Sequence, residues 1–225
     1  MSLAKKKKGA KREVTIDTLR EAIREAKEKA KKRNFLESME ILISIKDVNL
    51  KDPANRFQLD ITLPHKPTKP FKVAAFVAGP HEVEAKELGI DYYTRREIET
   101  IATNKREAKK LAKRYDHFLV TRTLLPIVVK LMGRYLGPRG KMPVPVPENA
   151  PLKPFVERYQ KTVRVRLRTV PIIYARFGTR DMDDDKLAEN ARTIYRSVVM
   201  KLPKGERNIK HVYVKTTMGP AVRVV

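Results

Sequence analysis

The sequence predicts a two-domain protein, with an α+β lobe built from the first and last thirds of the chain and an α/β lobe inserted between them. Three observations predict it. Pro64, Pro67 and Pro70 on one side and Pro143, Pro145, Pro147, Pro151 and Pro154 on the other bracket a middle segment. Proline fixes φ and lacks an N–H, so both stretches suit semi-rigid connectors better than element interiors. Within the bracket, strand-like apolar runs alternate with helical ones, and outside it amphipathic helices sit among runs of period two. The expected boundaries are 1–66 and 154–225 for the discontinuous domain and 67–153 for the insert. Pro64, Pro67, Pro70, Pro151 and Pro154 then form a two-stranded hinge.

In the outer lobe, Thr18-Leu19-Arg20-Glu21 fits a capping box, and Leu19, Ala22, Ile23, Ala26 and Ala30 fall on one helical face. A second helix follows Asp183 to Asp185, its stripe of Leu187, Ala188, Ala191, Ile194, Tyr195, Val198 and Val199 ready to cover a sheet. Strands are expected at Met39–Ile45, Phe57–Leu63, Thr162–Val170, Ile209–Lys215 and Ala221–Val225. In the insert, strands at Phe71–Ala78 and Phe118–Thr121 alternate with helices at Glu82–Leu88, Arg95–Ala102 and Lys105–Arg114, giving an α/β domain of two or three layers.

Charge narrows the function. Fifty Lys and Arg against 26 Asp and Glu leave +24, a self-repelling surplus that calls for a polyanionic partner. Both lobes share it, with +7 between Phe71 and Met142 and +17 elsewhere. No apolar run approaches the ~20 residues of a spanning helix, so no membrane partner is expected. The opening MSLAKKKKGAKR lacks the apolar core of a secretory signal and reads as a flexible basic arm. The absence of cysteine excludes disulfides, thiolate metal sites and a cysteine nucleophile, and the cytoplasm is the expected location.

Catalytic and metal motifs fail on inspection. Leu136-Gly137-Pro138-Arg139-Gly140-Lys141-Met142 evokes a phosphate loop, but Tyr135 stands where the first glycine belongs and Met142 where Ser or Thr is required. Asp181, Asp183 and Asp185 have calcium-loop spacing, yet Lys186 and Arg192 occupy the glycine and glutamate positions, and helix capping suits these acids better. His65, His81, His117 and His211 are scattered. No enzyme, cofactor or metal is expected.

Three segments suit RNA. Arg164, Arg166 and Arg168 alternate with Val163, Val165 and Leu167, a row of guanidinium groups fit for phosphates or, equally, for a solvated sheet face. Lys32 and Arg33 precede Phe35, pairing cations at a helix end with an aromatic ring, although the macrodipole and core packing account for them too. Thr216-Thr217-Met218-Gly219 offers hydroxyls, an apolar side chain and a glycine that allows close approach, or else a plain hairpin turn.

Phe35 to Glu40 (FLESME), Leu136 to Pro143 (LGPRGKMP) and Thr216 to Pro220 (TTMGP), supported by Asp60 to His65 (DITLPH) and Leu187 to Asn190 (LAEN), resemble the ribosomal protein L-one family in order and spacing. The Lys-rich arm and the PVPVP run look closer to archaeal members. The resemblance implies a split β-α-β, ferredoxin- or RRM-like domain carrying a Rossmann-like three-layer α/β insert. It implies binding to large-subunit rRNA at the mobile stalk near the tRNA exit site, where such proteins assist release of deacylated tRNA. It also implies a monomer off the ribosome that represses translation of its own mRNA. By residue, Phe35, Glu37 and Ser38 match one family RNA-contact segment and Thr217, Met218 and Gly219 the other, while Arg166 and Gly178 match less specific positions. The rival readings are an RNA-binding regulator acting mainly off the ribosome and an RNA-modifying enzyme.

Overall fold

The computed structural model describes residues 13–225, so the basic arm lies outside the described residues. In chain order it contains α1 (Ile16–Lys29), β1 (Ser38–Ile45), β2 (Phe57–Thr62), β3 (Val73–Phe76), α2 (Pro80–Glu87), β4 (Asp91–Tyr93) and α3 (Arg95–Thr103). There follow α4 (Lys105–Arg114), β5 (His117–Thr121), α5 (Leu125–Leu136), β6 (Val144–Val146), α6 (Leu152–Gln160) and β7 (Thr162–Leu167). The chain closes with β8 (Ile172–Thr179), α7 (Asp184–Lys201), β9 (Ile209–Thr216) and β10 (Val222–Arg223). It divides into two compact units, one holding the stretches up to Thr68 and from Val163, the other spanning Lys69–Thr162.

In the first unit the antiparallel order β10-β9-β1-β8 forms a four-stranded sheet, and β2 with β7 forms a separate ribbon. Helices α1 and α7 pack on each other, α1 over β9 and α7 over β8. Strand period two sends Met39, Ile41, Ile43, Val212, Val214, Ile173 and Ala175 into the core, where all are buried. Two capping threonines start α1 one turn earlier than expected: Thr15 is the N-cap, its Oγ1 accepting from the Thr18 N–H at 3.2 Å while Thr18 Oγ1 accepts from the Thr15 N–H at 3.0 Å. The expected box at Thr18 to Glu21 is thereby corrected, because Ile16 already lies within the helix.

Strand β8 was absent from the expected set, and it carries the sheet's main irregularity. Between Met39 and Glu40 the register with β8 shifts, so that Gly178 faces Met39 and Arg176 faces Glu40 while Phe177 is left over. The Phe177 carbonyl freed by this bulge accepts from Asn190 Nδ2 on α7 at 2.9 Å. Asn190 also brackets His65, accepting from its N–H and donating to its carbonyl, each at 2.9 Å. A Cβ on Gly178 would lie 2.3 Å from Leu187 Cδ2, so glycine here lets α7 close on the bulge.

The second unit is a parallel sheet, β4-β3-β5-β6. Ala74, Phe76, Phe118 and Val120 meet α3, α4 and α5 on one face. Val73, Ala75, Val77, Leu119 and Val146 meet Ala85 of α2 and Leu152, Val156 and Tyr159 of α6 on the other. Burial on both faces explains why β3 and β5 read as unbroken apolar runs.

Helix α6 moves the expected return crossing from residue 154. Its apolar stripe belongs to the second unit's core, so this unit runs on to Thr162. Pro151 is its N-cap and Pro154 lies in its first turn, where a missing N–H costs nothing, so these two prolines begin a helix instead of forming an extended connector. Pro145 lies inside β6. Pro64, Pro67 and Pro70 fall between β2 and β3, outside regular structure.

Candidate nucleic-acid interface

At one end of the four-stranded sheet, two segments remote in sequence are fastened together by a buried carboxylate. Glu37 is 1% exposed, a position a carboxylate holds only when its oxygens are satisfied. Its Oε1 accepts the Met218 N–H at 3.1 Å and lies 3.7 Å from Arg33 Nε. Its Oε2 lies 3.3 Å from Arg180 Nη1, and its backbone carbonyl accepts the Arg180 N–H at 2.9 Å.

Arg180 has a second task. Its guanidinium donates to the carbonyls of Lys27, Ala30 and Lys31 at 3.0, 3.2 and 3.3 Å, acceptors that the end of α1 leaves without helical partners. One cation therefore fixes the α1 end, the start of β1 and the end of β8.

Thr217 completes the fastening from the other side. Its N–H donates to the Ser38 carbonyl at 3.0 Å, and its Oγ1 accepts from the Ser38 N–H at 3.1 Å. Thr216 is buried opposite Met39, and a Cβ on Gly219 would fall 2.3 Å from Thr216 Oγ1 and 3.3 Å from Ala30 Cβ. Glycine at 219 thus permits the turn to lie against α1 without any need for positive φ.

With Glu37, Arg180 and Thr217 bonded inside, the large apolar side chains face outward. Phe35 is 54% exposed and Met218 59%, with Leu36 also exposed beside them. Exposed Lys32 and Arg33 border Phe35, and Arg33 Nη2 reaches the Met218 carbonyl at 3.4 Å. An aromatic ring, a thioether and guanidinium groups on a rigid backbone match what stacks on a base or packs on a ribose while holding phosphate. The core alternative for Phe35 is set aside by its exposure.

Of the sequence-predicted set, Lys32, Arg33, Phe35, Glu37, Ser38, Thr216, Thr217, Met218 and Gly219 come together at this edge, with Gly178 next to it in the sheet. Arg164 and Arg166 lie on β7 in the other sheet, and Arg168 follows directly after its last residue. Arg164 is engaged by Asp60, its Nε 2.6 Å from Oδ1 and its Nη2 2.8 Å from Oδ2, a bidentate pair within the ribbon. Burial, followed by the nearby Arg168 and Arg164 charges, holds Arg166 below the usual guanidinium range.

Sequence reasoning missed Arg180, Glu40 and Asn190. Glu40 is buried, with Arg176 and Lys215 as its cross-strand neighbours. Burial and then a hydrogen bond to Glu40 raise the Tyr174 phenol above its ordinary range. Nothing local marks Arg180, whose partners lie about 150 residues earlier. Only the LAEN segment pointed toward Asn190.

The family model described as "Ribosomal protein L1p/L10e family" matches residues 24–220, which span every element of this edge. The chain belongs to this family. Large ribosomal subunit protein uL1 of Thermococcus kodakarensis is 48% identical over 91% of this chain and 95% of its own length. The Pyrococcus abyssi protein of the same name is 47% identical over 91% and 94%, and that of Methanothermobacter thermautotrophicus 42% identical over 91% and 97%. The chain is an archaeal-like member of the L1 family. For this L1-family chain, the FLESME and TTMGP segments are the two halves of one bonded edge.

Proposed function

We propose that this chain is a structural protein of the large ribosomal subunit, cytoplasmic, that docks on rRNA through the edge closed by Glu37. The observation that carries this reading is the Glu37 carboxylate itself: it joins Arg180 and the Met218 N–H, and so ties the segments of exposed Phe35 and Met218 together in an L1-family chain. Buried hydrogen bonds hold the backbone fixed, so binding RNA costs little further ordering. The reading is of a binding protein, in a family of ribosomal proteins, with no chemical step assigned to it.

The first unit reads as a split β-α-β, RRM-like RNA-binding domain and the second as a Rossmann-like insert, with the proline-bearing crossing as a hinge. The specific target is the mobile-stalk rRNA near the tRNA exit site, and assistance to tRNA release and repression of the chain's own mRNA are further roles in this proposal. The chain is a monomer off the ribosome in this reading. A binding comparison tests it: the stalk rRNA fragment should be preferred over a generic RNA duplex by about 4 kcal/mol or more, the margin of specific over non-specific recognition. Equal affinities with steep salt dependence would reduce the protein to a generic polycation.

A further inference from the structure

Helix α4, KREAKKLAKR, carries six cations and one carboxylate in ten residues. Glu107 in the first turn and Lys113 and Arg114 in the last suit the helix dipole, but the remaining placement of charge works against the helix's own stability. Lys105 and Arg106 occupy the first turn, where the macrodipole favours anions. Lys105, Lys109 and Lys113 form one row at i, i+4 spacing and Arg106, Lys110 and Arg114 another, so like charges repel along both. Arg114 lies 3.5 Å from Asp91 and over the Tyr115 ring, whereas the other five cations form no ion pair among the described residues.

We propose that this helix is a second RNA-binding element, one that grips the phosphate backbone without regard to sequence and is independent of the edge at Glu37. Successive charges in each row rise about 6 Å along the axis, a spacing suited to successive phosphates of one strand. Neutralisation by phosphate removes the repulsion that the free helix carries. A lipid surface fits less well, since Ala108, Leu111 and Ala112, the apolar stripe, are buried in the second unit's core and leave no apolar face to insert.

The test uses the full chain and a generic RNA duplex, with affinity followed against salt. K105Q/K109Q/K113Q keeps good helix formers and removes one row. A control, K86Q/K130Q/K153Q, removes the same charge from exposed sites on α2, α5 and α6. The α4 variant should lower the slope of log K against log salt by about 2.7, as loss of three phosphate contacts on a duplex requires, while the control changes it by less than half as much. Its melting temperature should hold or rise, and its preference for stalk rRNA over duplex should persist, which separates this inference from the docking reading. An unchanged slope, or equal effects of the two triple variants, would overturn it. So would unchanged RNA binding accompanied by lost binding to phosphatidylserine vesicles or to a polyglutamate peptide.

Discussion

Glu37 and Arg180 meet twice, through a 3.3 Å contact between Oε2 and Nη1 and through a 2.9 Å hydrogen bond from the Arg180 N–H to the Glu37 carbonyl. Because the same guanidinium closes the end of α1, removing the carboxylate leaves a half-buried cation without its counter-charge and the Met218 N–H without its acceptor. Glu37→Ala is expected to cost about 3 kcal/mol in urea denaturation, in the range for breaking one side of a buried pair. Glu37→Gln, which can still accept from Met218, should cost distinctly less.

The bulge at Gly178 gives a packing prediction. Gly178→Ala places a methyl group 2.3 Å from Leu187 Cδ2 and 3.0 Å from Met182 Sδ, and overpacking of this kind costs about 1–3 kcal/mol. Adding Leu187→Ala should show a favourable coupling between the two sites, measurable as a double-mutant cycle. Strict additivity would mean that the α7 contact is not what requires glycine.

The arginine row separates stability from RNA contact. Arg164 is committed to Asp60, so Arg164→Gln should lower the melting temperature and leave the salt dependence of RNA binding nearly unchanged. Arg168→Gln, at an exposed position, should reduce the slope by about 1.

Tyr195 links the fold to alkaline pH. Burial, followed by the Glu206 carboxylate, pushes its phenol up to about 12, above the ordinary value near 10. The proton is then held more tightly in the folded chain than in the unfolded one. Stability from this group is complete below about pH 10 and falls as pH rises toward about 12. Tyr195→Phe cannot titrate, so denaturation at about pH 9 and about pH 11.5 should show its stability gaining on that of the wild type at the higher pH. A constant difference would place Tyr195 in solvent.

Much of this was legible in the sequence because the period carries it. Leu19, Ala22, Ile23 and Ala26 announce α1, and alternation announces β1, β7 and β9. Helices α5 and α6 went unread for one reason: Pro126, Pro151 and Pro154 look like breakers, and only the position within the first turn makes them compatible with a helix. Strand β8 was hidden by the Phe177 bulge and by glycine at 178, both of which interrupt the alternation. The docking edge was half legible. Its exposed members were marked by motif, whereas Arg180 and Asn190 act on backbone groups far away in sequence, for which no local pattern exists.

The account rests on Phe35 and Met218 as the parts of the edge that touch RNA, and both can be truncated with little harm to the fold because both are largely exposed. The deciding measurement is the preference of Phe35→Ala/Met218→Ala for the stalk rRNA fragment over a generic duplex at fixed salt. The account predicts a preference reduced at least tenfold, with duplex affinity and melting temperature unchanged. An undiminished preference would contradict it and place specific recognition elsewhere on the chain.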